Sequence, residues 1–368
     1  MTSLPDVELP KGARVVAAMS GGVDSAVTAG LLAEAGYEGV GVTLQLYDHG
    51  RATAKSRACC AGQDIHDARR AAARLGIPHY VLDYERRFAD DVIRPFARAY
   101  AQGQTPIPCV LCNQTVKFRD LVAVARDLGA AALATGHYAR RAPGGAALLA
   151  AADEARDQSY FLHRTTREQL AFLRFPLGGM AKDEVRDHAR RLGLALAEKP
   201  DSQDICFVPD GRHARLVAAL EPGAAEPGEI VHLDGRVLGR HEGIAQFTVG
   251  QRKGLGVADA APLFVVRIEA RTRRVVVGPR EALGVARVVL HETNWIETPE
   301  AGTRVAAKLR ARMAPALACA TPLADGRMAL DFDTPQSGVA PGQAGVLYDG
   351  ARVLGGGWIA PAAEAEAA

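Results

Sequence analysis

The chain has 368 residues, of which 48% are hydrophobic, and its formal net charge is +2 at pH 7. This length allows two or three domains with real cores, and so small a charge excludes nucleic-acid binding through a global positive field, leaving only local basic patches. No apolar run is long enough for a membrane span and no basic-then-apolar signal opens the chain, so we expect a cytoplasmic protein without a membrane partner.

The cysteines are too few and too unevenly spaced for a secreted disulfide framework. In a reducing compartment, clustered thiols indicate catalysis or metal binding instead. The six are Cys59, Cys60, Cys109, Cys112, Cys206 and Cys319.

The first predicted element is a buried strand over residues 14–19, followed by the loop Ser20-Gly21-Gly22-Val23-Asp24-Ser25 and a helix over residues 26–34. Two adjacent glycines let backbone N–H groups turn toward an anion, and the helix N-terminus adds its dipole. The serines supply hydroxyl donors, and Asp24 is suited either to capping the helix or to approaching a phosphate-bound Mg2+. The pattern predicts a phosphate site, although a plain strand-to-helix turn rich in Gly and Ser is the structural alternative.

The loop lacks the Gly-Lys-Ser/Thr ending of a Walker A motif and the three-glycine spacing of a dinucleotide fingerprint. It resembles the pyrophosphate loop of ATP pyrophosphatases. That resemblance implies cleavage of ATP between the α and β phosphates, with AMP and pyrophosphate as products, and leaves the acceptor open.

Strands and helices continue to alternate up to about residue 135, which predicts an α/β fold with a doubly wound parallel sheet. Leu44 lies at the carboxyl end of its strand, where open α/β sheets bind ligands. Residues 48–63 have no periodicity and predict a surface loop, in which the adjacent Cys59 and Cys60 are interpreted as packing or loop thiols. The further predicted strands cover residues 39–44, 79–83 and 131–135, and the helices cover 64–75, 85–100 and a stretch from residue 114 to 128.

The pattern changes after residue 178. A charged amphipathic helix is predicted over residues 182–192, and a polar segment with one thiol over residues 199–207. Beyond residue 210 come short β patterns with turn signals, which predict a small central module and a C-terminal β-barrel. We place the domain boundaries at 1–209 for the ATP pyrophosphatase domain, 210–279 for the central module and 280–368 for the barrel.

Two cysteines stand out by their flanks. Cys112 ends the loop of residues 105–113 and precedes a predicted helix, where the helix dipole lowers the pKa of a thiol. Cys206 lies in the polar segment. Together with an adenylating loop they indicate sulfur transfer, in which one thiol carries a persulfide and the other attacks or resolves it; the alternative is that both are buried structural thiols.

Seven motifs, in order over nearly the whole chain, resemble the bacterial tRNA-uridine 2-sulfurtransferases. They are SGGVDS, CVLCNQTVKF from Cys109, ATGHYAR from Ala134, DQSYFL from Asp157, DSQDICF from Asp201, FTVGQRKGLG from Phe247, and PGQ with VLYDG and LGGGWI near the C-terminus. The resemblance implies ATP-dependent conversion of the wobble uridine in a tRNA anticodon loop to 2-thiouridine. It also implies a tRNA-binding role for the central module over residues 210–279, and a persulfide donor such as a cysteine desulfurase or a relay protein.

The resemblance implies roles for individual residues. Cys112 would be the nucleophile and Cys206 the persulfide carrier, with a disulfide between them when the enzyme is idle. ATP, with Mg2+, would be held by Ala18, Met19, Ser20, Gly21, Gly22, Val23, Asp24, Ser25, Leu44 and Gly136. Contacts with tRNA are implied for Ile107, Pro108 and Cys109 at the target base and for His137, Arg156, Asp157, Gln158, Arg310, Ala311 and Gln343.

The chemistry agrees with this interpretation, because the C2 oxygen of uracil is a poor leaving group until adenylation lets it depart as AMP. Anticodon-loop uridines are partly unstacked already and so are cheap to extrude. Basic residues in the C-terminal half are candidates for phosphate contacts, although exposed basic residues on a β surface are commonly just solvated. They are Arg252, Lys253, Lys308, Arg310 and Arg312.

The chain departs from the common family pattern at Cys109, which stands where an aspartate is usual and is no fixed anion at pH 7. Cys109, Cys112 and Cys206 together offer three thiolates, the ligand set for a [4Fe-4S] cluster with one iron left open for sulfur. Zinc would need a fourth ligand such as His137. The metal-free persulfide route, the cluster and zinc all remain open.

Two other functions compete with tRNA thiolation. An amidating ATP pyrophosphatase of small metabolites would share the loop but would not need Cys112 or Cys206. A non-catalytic RNA-binding protein with a relic nucleotide fold would not need the intact SGGVDS loop.

Overall fold

The computed structural model describes residue 4 and residues 6–47, 60–145, 147–201, 205–208 and 211–361. The chain forms two compact units. The first comprises Met1–Asp91, Val110–Gln203 and Ala351–Val353, and the second comprises Val92–Cys109, Asp204–Gly350 and Leu354–Ala368. The three predicted domain boundaries remain a prediction.

A five-stranded parallel sheet forms the centre of the first unit. In spatial order its strands are His79–Asp83, Glu38–Gln45, Arg14–Ala18, Ala132–Ala134 and Leu173–Arg174. Every pair of neighbours runs parallel, with Val16 opposite Val40 on one side and Leu133 on the other. Val15 and Val16 are fully buried because a parallel sheet is covered on both faces. The predicted α/β class with a doubly wound parallel sheet is confirmed.

Most predicted helices are present. The helical segments are Val23–Glu34, Cys60–Leu75, Glu85–Phe88, Ala89–Ile93, Arg94–Ala101, Pro108–Cys112, Asn113–Leu121, Val122–Asp127, Arg167–Phe172, Lys182–Arg191 and His213–Leu220. Two of them, Ala89–Ile93 and Asn113–Leu121, have the wider turns of a π-helix. Among the described residues, none of these helices has the length and apolar composition needed to cross a membrane.

Two predicted loops are helical in part. Residues 60–63 already belong to the helix Cys60–Leu75, where Gln63 Nε2 donates to Asp67 Oδ1 at 2.9 Å across one turn. Residues 108–112 are helical because Pro108 stands at the first position, where its fixed φ suits a helix and its missing N–H costs nothing. The remainder of the predicted loop at 48–63, including Cys59, lies outside the described residues.

The second unit contains a four-stranded sheet in the order Phe264–Glu269, Arg274–Gly278, Gly228–His232 and Val237–His241. The β pattern predicted over residues 228–238 is thus a hairpin of two strands. Its core includes Ile230, Phe247 and Val265, all less than 5% exposed. This sheet is the predicted central module.

Six strands form the C-terminal barrel. In spatial order they are Gly284–Trp295, Met328–Ser337, Ala316–Pro322, Thr303–Lys308, Ala344–Asp349 and Arg352–Ile359. The last strand pairs back on the first, with Leu290 opposite Ile359, so these six strands close into a barrel. Leu290, Leu330 and Leu347 are fully buried inside. The predicted C-terminal β-barrel is confirmed.

Candidate active site

The glycine and serine loop lies between the strand Arg14–Ala18 and the helix Val23–Glu34, which begins three residues before its predicted start. Gly22 is the N-cap residue and no side chain caps the helix, so the capping role considered for Asp24 is wrong. The hydroxyl of Ser25 accepts from Ser20 N at 3.1 Å and donates to Gly22 O at 3.0 Å. Ser25 therefore holds the loop closed on itself, which is how a short loop keeps a fixed anion-binding shape.

Two glycines of the predicted ATP site are required by close packing. Gly21 has φ +77°, and a Cβ on it would lie 2.2 Å from Asp64 O. A Cβ on Gly136 would lie 2.9 Å from Asp24 C and from Ser25 N. The structure thus brings Gly136 against the loop, and it packs Gly21 against the helix that contains Asp64.

Leu44 and Met19 take different positions in the same region. The strand Glu38–Gln45 ends just beyond Leu44, which is half-buried at the carboxyl edge of the sheet. Met19 is 2% exposed and its N–H donates to Val42 O at 2.8 Å, so its side chain belongs to the core. Only the backbone of Met19 is left to line a nucleotide site.

The Asp24 carboxylate makes a tight ion pair that the sequence did not predict. Lys182 Nζ lies 2.8 Å from its Oδ1 and 2.9 Å from its Oδ2, and Tyr138 Oη donates to Oδ1 at 2.9 Å. Burial and the neighbouring Asp24 charge raise the pKa of Tyr138, so its phenol stays protonated and remains a donor. The carboxylate is therefore fixed from two sides.

Lys182 also pairs with Asp201, whose Oδ1 lies 2.7 Å from Nζ. Oδ2 of Asp201 accepts from Arg156 Nη1 at 2.8 Å, and Arg186 Nη2 lies 3.7 Å from Oδ1. Burial acts to raise the pKa of Asp201, but the hydrogen bond and charge of Lys182 outweigh it and hold that pKa below its ordinary value. Asp201 is thus an anion between cations.

A second lysine, Lys199, holds the back of the loop. Its Nζ donates to Gly21 O at 2.9 Å, to Asp64 Oδ1 at 2.8 Å and to Asp67 Oδ2 at 2.7 Å. Burial opposes its charge, but the two carboxylates outweigh burial and raise the pKa of Lys199. Because the Gly21 carbonyl is bound on this side, the peptide plane that follows has a fixed orientation.

Sequence reasoning gave no role to Lys182, Lys199 or Tyr138. A signal for Lys182 was present, since it shares the buried face of its helix with Val185 and Ala189 at positions i, i+3 and i+7. A lysine on an apolar stripe indicates a paired, desolvated cation. Lys199 carries no such signal, because it belongs to no helix or strand.

The fit of Mg2+ depends on Asp24, the carboxylate that belongs to the loop itself. Within the described ranges no group of three or more His, Cys, Asp and Glu side chains is arranged to hold a metal. Mg2+ is commonly bound through one or two carboxylates together with nucleotide phosphates. Asp24 is therefore suited to a Mg2+ ion that arrives bound to the phosphates of ATP. Its carboxylate would then contact both this ion and the Lys182 ammonium.

The structure changes the interpretation of the cysteines. Cys112 is buried, and its helical backbone angles (φ −59°, ψ −44°) join the helix Pro108–Cys112 to Asn113–Leu121 without a break. It therefore lies inside a continuous helix, and the argument that placed it at a helix N-terminus is wrong. A helix dipole acts mainly within the first turn, which here contains the exposed Cys109. Cys206 is exposed, and Cys319 is half-buried in a barrel strand.

Three residues assigned to tRNA in the first unit have internal partners. His137 Nδ1 lies 2.8 Å from Thr135 Oγ1, and burial holds the pKa of His137 well below its ordinary value, so its imidazole is neutral. The carboxylate of Asp157 accepts from Ala151 N at 3.0 Å and from its own turn, and Gln158 Oε1 accepts from Tyr138 N at 2.9 Å. These side chains shape the turn that exposes Arg156.

Two residues of the second unit that were assigned to tRNA donate hydrogen bonds to backbone carbonyls of the protein itself. Arg310 Nη2 donates to Val249 O at 3.0 Å and to Gly338 O. Gln343 Nε2 donates to Thr105 O at 2.8 Å, which fixes the segment before Ile107, Pro108 and Cys109. Of the three residues assigned to the target base, Ile107 and Pro108 are buried and Cys109 is exposed. Ala311 is half-buried.

Family models match the chain in three consecutive parts. Residues 13–210 match a family described as the tRNA methyl transferase HUP domain, residues 221–279 the tRNA methyl transferase PRC-barrel domain, and residues 285–359 the aminomethyltransferase beta-barrel domain.

Whole-length relatives carry a more specific name. The tRNA-specific 2-thiouridylase MnmA of Caulobacter vibrioides is 61% identical over 369 residues, covering 96% of each chain. The protein of the same name from Rhodospirillum centenum is 61% identical and covers 98% of this chain and 94% of its own. Among solved structures, the U34-tRNA thiolase NcsA from Methanococcus maripaludis with its [4Fe-4S] cluster is 20% identical, with a TM-score of 0.34 over 58% of this chain and 68% of its own. That structural likeness is too low to carry an argument, but an identity near 60% over whole chains is decisive: the chain belongs to the tRNA-specific 2-thiouridylase family.

Proposed function

We propose that this protein uses ATP to adenylate the C2 oxygen of the wobble uridine in a tRNA anticodon loop and then replaces that oxygen with sulfur from a cysteine persulfide. Membership of the 2-thiouridylase family makes it an ATP-dependent tRNA-uridine sulfurtransferase. The observation that carries the proposal is the whole-length identity to these enzymes. The route of the sulfur and the roles of single residues are our inference.

In the first step the C2 oxygen attacks the α-phosphorus of ATP and pyrophosphate leaves. The loop of residues 20–25 suits this step because it contains the N-terminus of the helix Val23–Glu34. Backbone N–H groups at a helix N-terminus favour the binding of phosphate oxygens. Lys199, bound to Gly21 O at 2.9 Å, supports the loop from behind. Mg2+ bound through Asp24 and the phosphates would supply charge neutralisation.

In the second step the terminal sulfur of a Cys206 persulfide attacks C2, and AMP takes the oxygen away. The Cys112 thiolate then attacks the Sγ atom of Cys206, which releases 2-thiouridine and leaves a disulfide between the two cysteines. A cellular dithiol reductant supplies two electrons to restore both thiols. A protein persulfide, from a cysteine desulfurase or a relay protein, loads Cys206 for the next turnover.

The alternative is a [4Fe-4S] cluster held by Cys109, Cys112 and Cys206. The exposed Cys109 in the first turn of the helix Pro108–Cys112 favours it, because this thiol is accessible. Among the described residues, no group of three or more His, Cys, Asp and Glu side chains is arranged to hold a metal ion. Iron and acid-labile sulfide measured on protein purified without oxygen decide between the two routes.

The test is a thiolation assay with unmodified tRNA, ATP and a persulfide donor, read by nucleoside mass. We expect 2-thiouridine from the wild type, none from Cys112→Ala or Cys206→Ala, and wild-type yield from the control Cys319→Ala. An active Cys206→Ala enzyme would refute the persulfide route. Loss of both a cluster and activity in Cys109→Ala would favour the iron–sulfur route.

A further inference from the structure

One ammonium group joins two stretches of the first unit that are far apart in sequence. Lys182 Nζ lies 2.8 Å from Asp24 Oδ1 in the ATP loop and 2.7 Å from Asp201 Oδ1 in the polar segment. The side chain of Lys182 is 7% exposed, whereas those of the two carboxylates are 28% and 19% exposed. A cation so far removed from water is stable only when paired, so its position depends on both partners.

Each of the two carboxylates has a second partner that fixes it. Tyr138 Oη donates to Asp24 at 2.9 Å, and the Lys182 ammonium lies 5.7 Å from the centre of the Tyr138 ring. Asp201 Oδ2 accepts from Arg156 Nη1 at 2.8 Å. The ammonium therefore sits between two anions that are themselves held in place, which is the arrangement that gives a functional group precise geometry.

We propose that Lys182 is a positioning residue for adenylation, because it holds the Asp24 carboxylate and Asp201 on one ammonium group. In this way it sets the ATP loop relative to the segment that precedes Cys206 in sequence. The proposal rests on the proposed function, since it assumes that the loop binds ATP. Lys182 is the contact through which Asp201 reaches the Asp24 carboxylate, whereas Lys199, two residues before Asp201 in sequence, binds the Gly21 carbonyl of the same loop.

A neutral side chain at position 182 would leave Asp24 and Asp201 facing the same space without a cation between them. Like charges repel, and Asp24 would then turn toward the anionic phosphates of ATP. We expect Lys182→Met to weaken ATP binding by about 10- to 100-fold, by analogy with the loss of metal affinity or activity when a residue that orients a metal-binding side chain is removed. Lys182→Arg keeps the charge and should recover part of this loss.

The deciding variant is Asp201→Asn. Because Asp201 acts on Asp24 through Lys182, Asp201→Asn should also weaken ATP binding. The double variant Lys182→Met/Asp201→Asn should bind ATP no more weakly than Lys182→Met alone. The matched control is Arg190→Met. Arg190 lies on the same helix and pairs with Asp187 and Glu198, but its side chain is 51% exposed.

The experiment measures the ATP dissociation constant by calorimetry on the full chain without tRNA, and the thermal midpoint of each variant. The expected result is weaker ATP binding in Asp201→Asn and Lys182→Met, with Arg190→Met unchanged. Wild-type affinity in Asp201→Asn, or purely additive losses in the double variant, would overturn the proposal. If Lys182→Met does not fold, Lys182→Arg and Asp201→Asn still decide it. A wild type that binds ATP but makes no 2-thiouridine would refute the proposed function alone.

Discussion

Replacement of Gly21 by alanine tests whether the ATP loop depends on its packing. The φ angle of Gly21 is +77°, and the added Cβ would lie 2.2 Å from Asp64 O, a backbone atom, where ordinary contacts begin at 3.4 Å. The left-handed conformation costs an alanine about 1–2 kcal/mol. Overpacking against backbone adds about 1–3 kcal/mol. We therefore expect Gly21→Ala to destabilise this region by about 2–5 kcal/mol.

The neighbouring glycine is a matched control. A Cβ on Gly22 would have Ser20 Oγ as its nearest neighbour at 3.5 Å, an ordinary contact, and the φ angle of Gly22 is −92°. Gly22→Ala should leave local stability unchanged, or raise it by about 0.4–1 kcal/mol by restricting the unfolded chain. The two substitutions are one residue apart, yet Gly21→Ala should lower the local stability whereas Gly22→Ala should not.

The comparison is made by hydrogen exchange with mass spectrometry, which measures the protection of backbone amides in peptides that cover residues 14–45. The protein is measured without ATP. Tryptophan fluorescence does not suit it, since Trp295 and Trp358 both belong to barrel strands. A loss of 2–5 kcal/mol should speed exchange by at least about 30-fold in Gly21→Ala. Equal protection in Gly21→Ala and Gly22→Ala would refute the argument that Asp64 packs against the loop.

Two further predictions concern tRNA binding and pH. Arg252 and Lys253 are exposed, and within the described ranges neither side chain has an ion pair. Replacing both by alanine should lower the slope of log affinity against log salt by about 1.4–1.8, since each phosphate contact contributes about 0.7–0.9. The control Arg240→Ala/Arg271→Ala removes the same charge, and an equal change there would refute a local contact. Burial lowers the pKa of His163 from 6.5 to about 4, so between these pH values the unfolded chain binds a proton that the folded chain does not. The free energy of unfolding should therefore fall by about 3 kcal/mol as pH falls through that window. Urea titrations followed by circular dichroism should show less of this fall in His163→Gln, and an unchanged pH dependence would contradict the assignment.

Much of the fold follows from local patterns. The strand at 79–83 has the predicted bounds, and the strand Arg14–Ala18 ends within one residue of its predicted end. Apolar runs bounded by glycine and proline identify buried strands reliably, because burial on both faces excludes polar residues. The adjacent glycines also indicated the position of the loop, since glycine is favoured where the backbone must turn sharply.

Helix starts were less predictable. The segment Ile107-Pro108-Cys109 has the composition of a loop, yet Pro108 begins a helix and Cys112 lies inside it. Proline is compatible both with a turn and with the first position of a helix, so sequence alone does not choose between them. The error moved the helix-dipole argument to the wrong cysteine.

The sequence by itself determined the order of strands and helices, and it identified the loop predicted to bind ATP and the cysteines proposed for sulfur transfer. Only the tertiary structure decided which charges meet. Lys182 and Lys199 bind Asp24 and Gly21 across more than 150 residues, at 2.8 and 2.9 Å. A sequence pattern can mark Lys182 as a paired cation, but it does not name the partner. The energy of such a contact depends on the distance between two groups remote in sequence and on their burial, which the folded chain alone establishes.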